Sequence, residues 1–227
     1  MPRLLATRLA PALAVLTIVA SGCGAPPSLY GEGNVRLPGG GGVVGAPDMA
    51  RPAPPSYPTG TVGNQVGEVI PNLSLTGYRL TPETTDFEAL QIVKDITFGE
   101  YHTNPACKVF LVTMGASWCT ACQQEQPYLT REVSGDPAFC VINILQEGHN
   151  QERDATQADL DEWVGKYNQS FNVVLGNKST RNLWQGYGPV INLPFNLIIK
   201  PQTMEVLETV EGFDTGIYRK AMKLAGN

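Results

Sequence analysis

The chain has 227 residues, 42% of them hydrophobic and 16% charged, with a formal net charge of −5. That is length for one ordinary domain plus accessories, and an acidic balance with no run of basic residues argues against a nucleic-acid binder. Five cysteines are too few for a disulfide scaffold, so each needs its own account.

Residues 1–22 carry Arg3 and Arg8 and then an apolar run over 9–20. This is the layout of a secretory signal peptide, and the run is too short for a standard membrane span. It ends in Ala20-Ser21-Gly22 directly before Cys23. That ending resembles a bacterial lipoprotein signal, which implies cleavage before Cys23 and lipidation of its sulfur, although Ala20 stands where leucine is usual. Several acyl chains would anchor far better than one. Gly24, rather than aspartate, follows Cys23, which resembles an outer-membrane destination in a cell with two membranes. The alternative is an ordinary cleaved signal with Cys23 incidental.

Residues 23–64 are dominated by Gly and Pro and show no apolar periodicity. Such a segment buries too little to offset its ordering entropy, so it reads as a disordered tether, spanning on the order of 35 Å. The alternative is that part of it packs on the domain as an extended strap.

The globular part is expected over 65–227. "VGEVIPNLSLTGY" contains short β-prone pieces, and "KVFLVTMGA", residues 108–116, is a continuous apolar run suited to a buried strand. "TACQQEQPYLTREVS" reads as a helix, "FCVINILQEG" as a second buried strand, and "TQADLDEWVGKYNQ" as an amphipathic helix with Leu160, Trp163, Val164 and Tyr167 on one face. "FNVVLG" is a third strand, and "STRNLWQGYG" is a short helix opened by a Ser or Thr cap. "FNLIIK" and "EVLETVEGF" form a hairpin across "PQTM", and "TGIYRKAMKLAGN" closes the chain as a helix. The alternation predicts an α/β layered fold with an antiparallel hairpin at the late edge of its sheet. Residues 79–104 look like an insertion containing a helix-like piece, "TTDFEALQIVKDI".

One motif carries chemistry: Trp118-Cys119-Thr120-Ala121-Cys122, after the strand and opening the helix. Pro127 lies eight residues past Cys119, and Pro194 precedes a strand in "NLPFNLIIK". In this order these features resemble the thioredoxin fold over about residues 66–224. The resemblance implies a central mixed β-sheet flanked by helices, here with an N-terminal extension, and a cis peptide before Pro194. "VGEVIPNLSL" resembles the opening strand shared by peroxiredoxins and membrane-tethered thioredoxins. Glu125, six residues past Cys119, matches the acidic residue of the TlpA/ResA-like, AhpC/TSA-related type. Thioredoxin itself carries a buried aspartate on the preceding strand, where this chain has Thr113.

Disulfide exchange needs an attacking thiolate and a second thiol that resolves the mixed disulfide. A cysteine at a helix N-terminus meets unpaired N–H groups and the positive dipole end, which favour its thiolate. Cys119 is therefore the expected nucleophile and Cys122, one turn on, the resolving thiol. Trp118 would shield the pair. Glu125, a further turn on, could exchange protons with the thiols if burial raises its pKa; the alternative is a solvated residue in a polar run. In the Leu193-Pro194 loop, the cis peptide before Pro194 is expected to present the backbone of Leu193 to a substrate peptide, as the resemblance implies.

Structural zinc usually takes four ligands; with one close cysteine pair, and His102 and His149 at uninformative spacings, no metal is expected. A copper chaperone of this superfamily would need a wider cysteine pair and a downstream histidine. No organic cofactor is implied. Cys107 and Cys140 start two strands that are parallel neighbours in this fold, so a structural disulfide is expected between them, or else two buried thiols.

The reading is thus an exported, lipid-anchored thiol–disulfide oxidoreductase in the cell envelope. Its partners would be protein thiols or disulfides, an upstream redox protein and the membrane, with no nucleic acid. The alternatives are a thioredoxin-fold peroxidase and a binding module with an inert disulfide. The Thr120-Ala121 pair resembles neither a strong reductant nor a strong oxidant.

Overall fold

The computed structural model describes residues 56–184, 187 and 191–226. The expected signal segment, Cys23 and most of the expected tether lie outside them. No described helix is long and apolar enough to cross a membrane.

Strands β1 (Ser74–Tyr78), β2 (Val93–Thr97), β3 (Val109–Ala116), β4 (Phe139–Glu147), β5 (Asn172–Leu175), β6 (Phe195–Lys200) and β7 (Glu205–Glu211) form one sheet. Their order is β2-β1-β5-β4-β3-β6-β7. β3, β4 and β5 are parallel neighbours, and the β6–β7 hairpin closes one side antiparallel. The sheet is therefore mixed, as the resemblance implies. All eight residues of β3 are buried, because helices cover both faces of the strand and a strand turns alternate side chains to opposite faces.

Helices α2 (Thr120–Gly135), α3 (Gln157–Tyr167) and α5 (Ile217–Leu224) pack with Val109, Leu111, Val141, Leu145, Val173 and Ile198. The other face buries Phe110, Val112, Met114, Ile142, Ile144 and Leu197. Against it lie α1 (Gly99–His102) and a short helix α4 (Lys178–Arg181) that runs into a 3-10 turn over Asn182–Trp184. A capping box between Thr156 and Asp159 starts α3, and Asn168 in the left-handed region ends it. The expected Ser or Thr cap of α4 is instead Asn177, whose carboxamide accepts from Ser179 and Thr180 N–H.

The helix expected in 84–96 is not formed. Asp86 accepts the N–H groups of Glu88 and Ala89, the pattern of an N-cap, but no helix follows it: the second half of the segment is taken into the sheet beside β1. Phe87 and Leu90 still pack on the core. The β-branched residues that follow become β2, where Ile96 is fully buried and pairs with Leu75.

Residues 56–64, read from sequence as the end of the tether, instead lie on the domain as a strap. Val62 pairs with Val69, and Val69 with Glu205. Gly67 N–H donates to Val206 O, and Ile70 N–H to Met204 O. Residues 67–70 thus cover the free edge of the sheet at 204–206, where unpaired groups would invite aggregation, and the strap pairs with Val69 on their outer side. The Tyr57 hydroxyl donates to Ile70 O at 2.8 Å, and its ring meets His102 edge-on. Asn64 donates to Asn182 O and Leu183 O. Tyr57→Ala should therefore cost about 1–3 kcal/mol. Urea denaturation of a chain starting at Ser56 checks this. A lower midpoint with an unchanged slope is expected, and an unchanged midpoint would mean the strap contributes nothing.

Candidate redox site

β3 ends at Ala116, and the chain turns once before α2. Ser117 N–H donates to Glu147 O, and Cys119 N–H to Ala116 O. Cys119 is the N-cap of α2, with extended backbone, and its sulfur accepts the Cys122 N–H at 3.0 Å. Cys122 follows one helical turn later, and the two sulfurs are bonded at 2.16 Å with Cα atoms 5.2 Å apart. Cys119 is 5% exposed and Cys122 1%, so the first is the more exposed residue of the two. When the pair is reduced, the Cys122 N–H and the helix dipole both favour a thiolate at Cys119. Gly115 lets β3 pass directly beneath the pair: a Cβ there would sit 3.0 Å from the Cys122 sulfur.

Trp118, 36% exposed, borders the pair. Its indole N–H donates to Glu147 Oε2 at 3.0 Å. Arg181 reaches the other oxygen of Glu147 and also binds Asp154, so the carboxylate that orients the indole is itself held.

Glu125 is fully buried on the inner face of α2. The Thr113 hydroxyl donates to its Oε2 at 2.6 Å, and the Asn196 amide to its Oε1 at 3.1 Å. Burial pushes its pKa up to about 7, against the pull of these two hydrogen bonds. A solvated role for this residue is thereby excluded. Because the folded pKa lies above the unfolded value of 4.5, the folded chain holds the extra proton. The associated stability is complete below about pH 4.5 and is lost as pH rises through about 7. Glu125→Gln should remove this loss. Between pH 5 and 8 the oxidised native protein should weaken relative to the variant by about 2–3 kcal/mol. Parallel pH dependences of unfolding free energy in the two proteins would contradict it.

The Leu193–Pro194 peptide is cis, as expected. Phe195 pairs with Met114, which sets Pro194 beside the end of β3, where the cysteine turn begins. Pro194 O accepts from Gly212 N–H at 2.8 Å, and Glu211 binds both the backbone and the side chain of Asn192. The β6–β7 hairpin thus fixes this loop on both sides.

Cys107 and Cys140 also come together, with Cα atoms 5.8 Å apart. They lie at the opposite end of β3, since Cys140 pairs in register with Phe110 near its start. Cys107 is buried.

Asn196, Asn143 and Glu147 were not legible as site residues. The only signal was a polar side chain inside an apolar strand: "FNLIIK" for Asn196 and "FCVINILQE" for Asn143.

No protein-family model matches the chain, and no curated protein does. Solved structures do. A protein described as thiol:disulfide interchange protein DsbE of Chlorobium tepidum is 18% identical, with 72% of this chain and 99% of that one covered, at a TM-score of 0.51. The thioredoxin domain of a thiol-disulfide oxidoreductase of Bacteroides vulgatus is 15% identical, covering 71% and 98%, at 0.48. The exposed lipoprotein thioredoxin of Streptococcus pneumoniae is 19% identical, covering 67% and 99%, at 0.46. At 18% identity the first of these likenesses is one of fold: the domain has the thioredoxin fold.

Proposed function

We infer that the protein is an exported thiol–disulfide oxidoreductase, anchored through lipidated Cys23, that acts on protein substrates. The observation that carries this reading is the Cys119–Cys122 pair at the N-terminus of α2, with the buried carboxyl of Glu125 one turn behind it. In the reducing direction, the Cys119 thiolate attacks a substrate disulfide, forms a mixed disulfide and releases one substrate thiolate. Cys122 then passes its proton to Glu125 and attacks the Cys119 sulfur. The intramolecular disulfide forms, the second substrate thiolate leaves, and two electrons have moved from the cysteine pair to the substrate. The oxidising direction is the reverse. An upstream redox protein resets the pair after each turnover. In the Leu193-Pro194 loop, held beside the cysteine turn, Leu193 offers its backbone to an extended substrate segment.

Residues 23–55 would then serve as tether, since the strap from residue 56 belongs to the domain. A soluble chain starting at Ser56 should match the anchored chain on a free peptide disulfide. The anchored chain should be favoured by on the order of 10²-fold on a partner held at the same membrane, through effective concentration alone. Exchange rates of both forms on both substrates, with mass analysis of Cys23, test this. Inactivity of the soluble chain on the free peptide would make the tether part of the site, and an unmodified Cys23 in exported protein would remove the anchor.

A further inference from the structure

A row of polar side chains crosses the middle of the apolar sheet. Thr113 on β3 pairs in register with Asn143 on β4 and with Asn196 on β6. Registered neighbours project to the same face, and this row meets α2 and α3 where Leu111, Val141 and Ile198 supply the surrounding core. All three polar residues are 1% exposed or less. Three buried polar groups in such a layer are costly unless they are hydrogen-bonded, so their partners decide what the row is for. Asn143 is fixed from both ends: Trp163 N–H donates to its Oδ1 at 3.0 Å, and its own amide reaches Thr113 O. Thr113 and Asn196 turn instead to the two oxygens of Glu125.

The second oxygen of this arrangement is informative. Asn196 Oδ1 is buried and has no hydrogen-bond partner, while its Nδ2 donates to Glu125. A carboxamide carries a donor and an acceptor on one rotatable group, and a hydroxyl is likewise both. With Glu125 anionic, Asn196 Nδ2 and the Thr113 hydroxyl both donate. With Glu125 protonated, a half-turn of the Asn196 amide brings its idle Oδ1 to accept the new O–H, while Thr113 still donates to the other oxygen.

We propose that Thr113 and Asn196 are positioning residues that hold Glu125 hydrogen-bonded in both of its protonation states, so that it can take the Cys122 proton and give it up again. This rests on the proton role assigned to Glu125 above. A buried carboxyl with donors alone would be held as the anion, and one with apolar neighbours alone would stay protonated. A partner that can exchange donor for acceptor, beside one that donates in either state, keeps both states accessible. The other groups facing Glu125 do not compete. On its own helix Cys122 lies one turn before it, β3 and β6 present Thr113 and Asn196, and no charged side chain contributes to its shift. Farther along the face, Glu208 of β7 and Lys220 of α5 pair with each other.

The test uses the reduced chain from Ser56 and two readouts. The first is the infrared carboxylic C=O band of Glu125, identified by its loss in Glu125→Gln and titrated against pH. The second is the pH profile of peptide-disulfide exchange. Thr113→Val and Asn196→Leu each remove a donor to the anion, so each should raise the infrared midpoint by about one unit. Thr113→Ser should restore it. The exchange profile should move by the same amount in each variant, and not at all when either change is made in the Glu125→Gln background. Asn196→Asp, of the same shape, should raise the midpoint further by placing a second carboxyl beside the first, and it serves if the leucine variant does not fold. Folded Thr113→Val and Asn196 variants with the wild-type midpoint would overturn the proposal. If the infrared midpoints move as expected but Glu125→Gln leaves the exchange profile unchanged, the cradle stands and the proton role of Glu125 fails.

Discussion

Cys119→Ser should reduce thiol–disulfide exchange to the uncatalysed level, whereas Cys122→Ser should still attack and then stall. The difference follows from where each sulfur sits. Cys119 is the N-cap residue, its sulfur accepts a helix N–H, and it is the more exposed of the two. Cys122 is sealed between α2 and Gly115 of β3, where no substrate disulfide can approach in line. A serine at 122 removes only the group that resolves the mixed disulfide. The variant should therefore accumulate a covalent adduct with a peptide disulfide, visible as added mass that a reductant removes. Alkylation rates in the reduced native protein should show Cys119 reacting first, with a titration midpoint well below that of free cysteine. An adduct trapped through Cys122 in the Cys119→Ser variant would reverse the assigned roles. Absence of any adduct on Cys119, together with wild-type exchange in both variants, would leave the pair an inert disulfide.

The motif was legible because its geometry is local. Two cysteines three residues apart at a helix start must face each other, whatever the rest of the chain does. The central strands were legible for a similar reason, since an eight-residue apolar run such as β3 has few ways to be buried. What could not be read is what strand register decides. Thr113, Asn143 and Asn196 belong to three separate strands, and only the pairing of those strands brings them into one row. A slip of one residue in any of these strands would have sent its member of the row to the other face. The edges failed for a different reason. Residues 84–96 carry helical spacing of apolar groups, but Val93, Ile96 and Thr97 are drawn into the sheet by pairing with β1, which a local pattern does not register. Residues 56–64 look too polar and Gly-rich to order themselves, yet backbone pairing with Val69, and side-chain bonds from Tyr57 and Asn64, hold them, a gain that composition does not register.

The Cys107–Cys140 pair should carry the largest single contribution to stability. The two residues are separated by 33 positions, and closing a loop of that length removes chain entropy worth about 3–4 kcal/mol from the unfolded state. The Cα separation of 5.8 Å lies where a bridge forms without moving the backbone. The bridge also ties the segment leading into β3 to the start of β4, the most extensively paired strands of the core. Replacing both residues with alanine should lower the melting temperature by roughly 10 °C in a domain of this size, while exchange with a free peptide stays at the wild-type rate. That second expectation follows from placement. The pair sits at the far end of β3 from Cys119, and neither residue caps a helix that would favour its thiolate. Mass mapping without reductant, on protein exported into an oxidising compartment, should find Cys107 linked to Cys140. Free thiols at both positions, or a double variant that melts with the wild type, would show two buried cysteines acting as small apolar residues. A double variant that stays folded but loses exchange would instead make the distant pair part of the electron path.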